Sequence, residues 1–158
     1  MAYTESDDTI DLQGFFADLV RCETRLYNAL NVRLRERHGI VTSQYEFLRF
    51  LREHPGARVA DLATEFAIGV GATSKSADRL EARGWVVRQA NPADRRSHLL
   101  ALTEKGSRLL AVAEDTFTAG LGELLASALA PSATAATART LSHLRSVLER
   151  DRIGNPTG

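Results

Sequence analysis

Trp85-Val86-Val87-Arg88 and His98-Leu99-Leu100-Ala101-Leu102 are two short apolar runs separated by Gln89-Ala90-Asn91-Pro92-Ala93-Asp94-Arg95-Arg96-Ser97. Both runs are rich in β-forming residues, and together they read as two paired strands. The connection is too long for a two-residue hairpin turn and is polar and basic at its tip. On either side the period is helical. Upstream, a helix over about 71–83 ends at Gly84. Downstream, Thr103 caps a long helix reaching about Leu129, with Leu109, Leu110, Ala113, Phe117, Leu121, Leu124 and Leu125 on its apolar stripe. A hairpin between two helices, in a chain that is otherwise helical, sets the fold class: mainly α with a small β-hairpin wing.

Further upstream, Val59, Leu62, Ala63 and Phe66 mark one face of a short helix over about 58–66, and Gly69 and Gly71 mark the tight turn after it. Before that helix, Ser43 and Glu46 have the spacing of a capping box. The helix they start buries Phe47, Leu48 and Leu51 and stops near His54-Pro55-Gly56, where proline cannot continue it. The first helix, about 12–37, repeats Leu12, Phe15, Phe16, Leu19, Cys22, Leu26 and Leu30 at three- and four-residue steps, and Gly39 closes it. Pro131 breaks the long fifth helix. A last helix over about 132–150 carries Leu141, Leu144, Val147 and Leu148. The order is four helices, a hairpin and two helices.

Residues 42–102 form a compact winged helix-turn-helix unit. Residues 12–38 and 103–150 form a separate helical region, and 1–11 and 151–158 read as flexible tails. A 27-residue helix is about 40 Å long at ~1.5 Å per residue, longer than a small domain can cover. Its apolar stripe needs a further surface, and a second copy of the chain would supply one. The outer helices are therefore expected to dimerise.

The 158 residues have 44 % apolar and 25 % charged composition with zero net charge, ordinary for a globular chain. The charge is unevenly placed. Residues 58–108 hold nine basic and six acidic groups, against seven and nine before them and four and five after. Cys22 is the single cysteine, so neither a disulfide framework nor a thiolate cluster is available. The acidic, polar start shows no signal peptide, and no run suits a membrane span. The expectation is a cytoplasmic protein. His38, His54, His98 and His143 lack metal-ligand spacing. Nucleophile elbows, phosphate loops and dinucleotide fingerprints do not occur. No enzyme activity, metal or cofactor is expected.

Val59-Ala60-Asp61-Leu62-Ala63, the turn, and Asp78-Arg79-Leu80-Glu81-Ala82-Arg83-Gly84-Trp85-Val86 closely resemble the MarR (multiple antibiotic resistance regulator) family. So does Asn91-Pro92-Ala93-Asp94-Arg95-Arg96-Ser97, followed by Leu100, Leu102-Thr103 and Gly106. The resemblance spans about 12–150. It implies a homodimer that reads a pseudo-palindromic DNA operator, often as a repressor. Many members release DNA when a small phenolic or lipophilic compound binds, and some when a cysteine is oxidised.

The helix 71–83 is the candidate for the major groove, which admits one helix. Gly71, Thr73, Ser74 and Lys75, with Ala72, are small or polar at its N-terminal end, and Arg79 lies one turn on. The free N–H groups there favour phosphate. A solvated polar face accounts for the same pattern. Ser76 and Ala77 are smaller than the residues usual there in the family, which leaves the packing behind this helix open. At the hairpin tip, Arg95 and Arg96 suit a narrow minor groove. By resemblance, Asp94 and Arg96 are the family's aspartate-x-arginine pair, with Asp94 orienting an arginine. The alternative is a flexible charged turn. Arg58 is either a phosphate clamp or a solvated arginine. Cys22, on the apolar stripe of the first helix near the expected dimer interface, is a small buried hydrophobe or a redox sensor. A ligand pocket lined by Phe15, Leu19, Tyr45, Phe47 and Leu48 follows from the resemblance, and each of these residues also suits plain core. A helical module that binds protein, using the hairpin as a recognition loop, is the competing function.

Overall fold

The computed structural model describes residues 10–156. Six helices and one hairpin follow in the expected order: α1 Leu12–His38, α2 Thr42–Glu53, α3 Val59–Glu65, α4 Val70–Ala82, β1 Val86–Ala90, β2 His98–Leu102, α5 Glu104–Ala126 and α6 Pro131–Arg150. No helix among the described residues is long and apolar enough to cross a membrane.

β1 and β2 pair antiparallel, with Val86 opposite Leu102 and Ala90 opposite His98. The stretch before α3 adds a third edge that the sequence reading did not include. Arg58 bridges Leu99, and the Leu100 N–H donates to the Ala57 carbonyl at 2.7 Å. This fixes the start of α3 to the wing. The core lies beneath: Leu34, Ile40, Leu48, Leu62, Leu80, Val86, Leu100 and Leu110 are fully buried, and Tyr45 stacks on Phe117 at 4.4 Å.

The junction from wing to α5 is tight. Thr103 is the N-cap of α5: its Oγ1 accepts from the Gly106 N–H at 3.0 Å and donates to the Gly84 carbonyl at 2.6 Å. The Thr103 N–H donates to the Trp85 carbonyl at 3.0 Å. A Cβ on Gly106 would lie 2.0 Å from that same carbonyl oxygen, so only glycine permits the approach.

Several expectations are corrected. α2 begins at Thr42 with Val41 as its N-cap, so Ser43 and Glu46 do not form the capping box. The Val41 N–H donates to Gln44 Oε1, and Asn31 of α1 takes the Thr42 N–H at 2.7 Å. A tertiary partner has replaced the local one. Only Leu30 and Leu34 of α1 are buried; Phe15 is 56 % and Phe16 66 % exposed, and Cys22 is exposed. Asp11, expected in a tail, caps α1 by accepting from the Gly14 N–H. After α6, the Ile153 N–H returns to the Leu148 carbonyl, so the start of the expected tail is turned back on the helix. The rest of the two expected tails, residues 1–9 and 157–158, lies outside the described residues. α6 buries no residue. His38 bonds Thr116 Oγ1 and His54 bonds the Phe50 carbonyl, which gives both histidines structural partners.

Two outcomes follow. Gly106→Ala is expected to cost about 1–3 kcal/mol in urea unfolding, because backbone must move to admit the methyl. Arg52 holds Glu114 by two 2.7 Å bonds between α2 and α5, and these bonds keep the Glu114 carboxyl below its ordinary value of 4.5. A depressed folded-state value means the contribution is full above pH 4.5 and is lost as the pH falls through that depressed value. Glu114→Gln is expected to lower stability at neutral pH by up to about 1 kcal/mol. It is also expected to flatten the acid limb, as read by urea titrations across pH.

Candidate nucleic-acid interface

α4 is held by one apolar edge. Thr73, Ala77 and Leu80 recur at helical spacing and are all buried. Small residues at 73 and 77 therefore bring α4 close to the body. Thr73, expected on the exposed face, is a correction: it is fully buried, and its Oγ1 donates to the Gly69 carbonyl at 2.9 Å. Threonine satisfies its hydroxyl on the preceding turn and so behaves as a core residue. Ser74 is half-buried, and Gly71, Lys75 and Arg79 are exposed. A Cβ at Gly71 would meet nothing within 4 Å, so the front of the helix is open to close approach.

The wing tip has a defined local structure. Asn91 Oδ1 accepts from the Ala93 N–H at 3.0 Å, and Asp94 Oδ1 accepts from the Arg96 N–H at 2.9 Å. Asn91 Nδ2 donates to Ser97 Oγ at 2.8 Å and closes the loop across its base. Asp and Asn side chains that bond the backbone two residues on make such turns. Asp94 was expected to orient an arginine; it does so through the backbone amide of Arg96 and not through a guanidinium. Both arginines of the tip are exposed.

Between wing and helices lies a cleft of about 280 Å³ that brings Arg58, Ser74 and Arg96 together with Arg88, Ser97 and His98. Arg58 is held by Asp61, with Nε and Nη2 at 3.1 and 3.0 Å from its carboxylate, while the Arg58 N–H bonds the same group at 2.8 Å. Those bonds lower the Asp61 pKa and fix α3 at its first turn. Lys75, Arg79, Arg95 and Arg96 form no ion pair among the described residues.

Arg88 was missed. Its guanidinium pairs with Asp78 at 2.7 Å and Glu81 at 3.4 Å, and its N–H donates to Glu81 Oε2. The pairs tie α4 to β1 and neutralise both acids on that helix. The signal was present in the sequence. A period of two puts Arg88 on the face of buried Val86, and Asp78 and Glu81 share one helix face at three-residue spacing.

The structure does not bring the five expected effector residues together in one groove. A groove of about 750 Å³ lies between α1, α2, the α3–α4 turn and α5, and of the five residues expected only Phe47 lines it. Tyr45 and Leu48 are buried in the core, and Phe15 and Leu19 lie too near the start of α1. The α1 residues that line the groove are Leu26, Tyr27 and Leu30, about two to three turns beyond Leu19, together with Glu23.

A hairpin packed beside an open-fronted helix, with a third edge from the segment before α3, defines a winged helix-turn-helix protein. Residues 38–97 match the MarR family model. The regulator YxaD of Bacillus subtilis, described as an uncharacterised HTH-type transcriptional regulator, is 38 % identical over 68 residues, 43 % of this chain and 48 % of that protein. The chain spans about half the length of the curated relatives it matches. Solved structures extend the likeness to nearly full length. The transcriptional repressor CouR, bound to a 23-mer DNA duplex, superposes with a TM-score of 0.77 at 26 % identity, covering 91 % of this chain and 99 % of that one. Sco3205, a MarR-family regulator from Streptomyces coelicolor in complex with DNA, shares the fold with a TM-score of 0.76 at 24 % identity, over 86 % of each chain. Residues 38–97 are thus similar to the MarR family of transcriptional regulators, and the fold of nearly the whole chain is that of MarR-family structures.

Arg88→Ala is expected to lower stability by up to about 1 kcal/mol in urea unfolding, since its partners are partly exposed. Arg88→Lys is expected to recover only part of this, because one ammonium cannot reach both carboxylates in the guanidinium's forked geometry.

Proposed function

We propose that the protein is a sequence-specific DNA-binding transcriptional regulator. In this reading it works as a homodimeric repressor on a pseudo-palindromic operator and is released by a small ligand. The observation that carries the reading is the pairing of two basic elements at one surface. α4 presents Ser74, Lys75 and Arg79, the wing presents Arg95 and Arg96, and none of the four cations is tied up by a carboxylate among the described residues. Counterion release from phosphates rewards untied cations, and a small-faced helix can read base edges. The protein–DNA complexes of CouR and Sco3205 support the same assignment.

Homodimerisation is supported by apolar surface left uncovered at the two ends of the chain. Leu12, Phe15 and Phe16 of α1 and Leu141, Leu144 and Leu148 of α6 are all exposed in the single chain. Contiguous exposed apolar surface of this kind marks an interaction site. In this reading the groove between α1, α2 and α5 is the ligand site; Ser76 of α4 lines it, so a molecule bound there would touch the helix proposed to face DNA.

The test is selection of a duplex library by the full chain at two salt concentrations. Enrichment of a two-fold symmetric site with steep salt dependence is the expected result. Arg96→Ala is expected to weaken all sites and reduce the salt slope by about one phosphate equivalent, and Ser74→Ala to change the preferred sequence. Weak, salt-insensitive binding with no preferred sequence would give first place to a protein-binding role.

A further inference from the structure

We infer that the groove between α1, α2 and α5 takes a lipophilic amine, an apolar body carrying one protonated nitrogen. This inference rests on the groove being the ligand site. The groove is large, about 750 Å³, and aromatic: Phe47, Phe66 and Phe117 line it. Its charged lining residues are Glu23 and Glu46, and no lysine, arginine or histidine is among the residues that line it.

Neither carboxylate forms an ion pair among the described residues. Glu46 accepts no hydrogen bond and forms no ion pair among the described residues. Its neighbour Arg49 is taken by Glu53 at 2.9 Å. Glu23 accepts only from the adjacent Thr24 hydroxyl, at 3.2 Å. Burial raises the Glu46 carboxyl above the ordinary range, against a smaller lowering by nearby Arg49. An organic cation supplies a counter-charge and meets aromatic faces that attract it. A carboxylate or phenolate ligand would lie beside two like charges with no cation on the wall to offset them. The geometry therefore selects by charge within the broad class of small apolar molecules.

The test uses one apolar body with three head groups: naphthylmethylamine, naphthylmethanol and naphthoate. Each is titrated calorimetrically into the full-length protein at neutral pH, and then into the Glu46→Gln and Glu23→Gln variants. The amine is expected to bind at least about tenfold more tightly than naphthoate. Glu46→Gln is expected to remove most of that preference while leaving the affinity for the alcohol unchanged. Thermal melting of each variant separates this from misfolding. Equal or tighter binding of naphthoate overturns the charge assignment and leaves the ligand groove standing. Binding of the amine that neither variant changes overturns it in the same way. If none of the three binds at millimolar concentration, the groove is not a ligand site, and the inference falls together with the reading beneath it.

Discussion

The contact of α5 with the Trp85 carbonyl is the constraint on which the rest of the architecture hangs. Thr103 reaches back to Gly84 and forward to Gly106, so one side chain joins the end of α4 to the start of the longest C-terminal helix. Lys105 reinforces the joint by donating to the Arg83 carbonyl at 3.0 Å, while Arg83 lies over the Trp85 ring at 4.2 Å. Backbone-to-backbone proximity of this kind has no slack, because there is no side chain to rotate out of the way. The joint leaves α5 little room to shift relative to the wing and the end of α4. Arg52–Glu114 and Arg33–Glu123 tie the same helix to α2 and α1. The long helix thus gathers the moving parts onto one axis.

The electrostatic arrangement follows a division of labour. The chain is neutral overall, yet the acids nearest α4 are each given an internal partner: Asp61 by Arg58, and Asp78 and Glu81 by Arg88. Apart from Asp94 at the wing tip, the charges that remain outward on that surface, Lys75, Arg79, Arg95 and Arg96, are positive. A basic face can therefore be built without a basic protein, by sequestering carboxylates and not by adding cations. Arg58 occupies an intermediate position, because it borders the cleft but is already engaged by Asp61. A phosphate at that cleft would compete with an existing carboxylate for the same guanidinium.

The legible parts of the sequence were those specified by local chemistry. The hairpin, Thr103 as the cap of α5 and Gly39 in a left-handed conformation at the end of α1 all depend on residues within a few positions of each other. The illegible parts depend on distant partners. Asn31 moved the start of α2 by taking the Thr42 N–H from another helix. Thr73 looked like a surface residue because its hydroxyl is polar, but the preceding turn satisfies it and its methyl faces the core. The groove takes its α1 wall from Glu23 to Leu30 and not from Phe15 and Leu19, and an apolar stripe does not reveal how much of its length lies against its own chain. Arg88 is an intermediate case: its strand face and the spacing of Asp78 and Glu81 are readable, but their pairing joins two different elements.

α6 has a thermodynamic consequence. It is a 20-residue helix with no fully buried residue, and its apolar side chains are only partly covered by its own chain. In proteins most helical stability comes from tertiary packing of an amphipathic face and not from intrinsic propensity. Its order is therefore linked to whatever surface covers Leu141, Leu144 and Leu148, and by mass action the folding free energy of this part of the chain varies with the concentration of that surface. If the cover is a second copy, the melting temperature becomes a gauge of abundance. Synthesis rate and conformational stability would then be set by the same variable, and dilution alone would loosen the molecule from its C-terminal end.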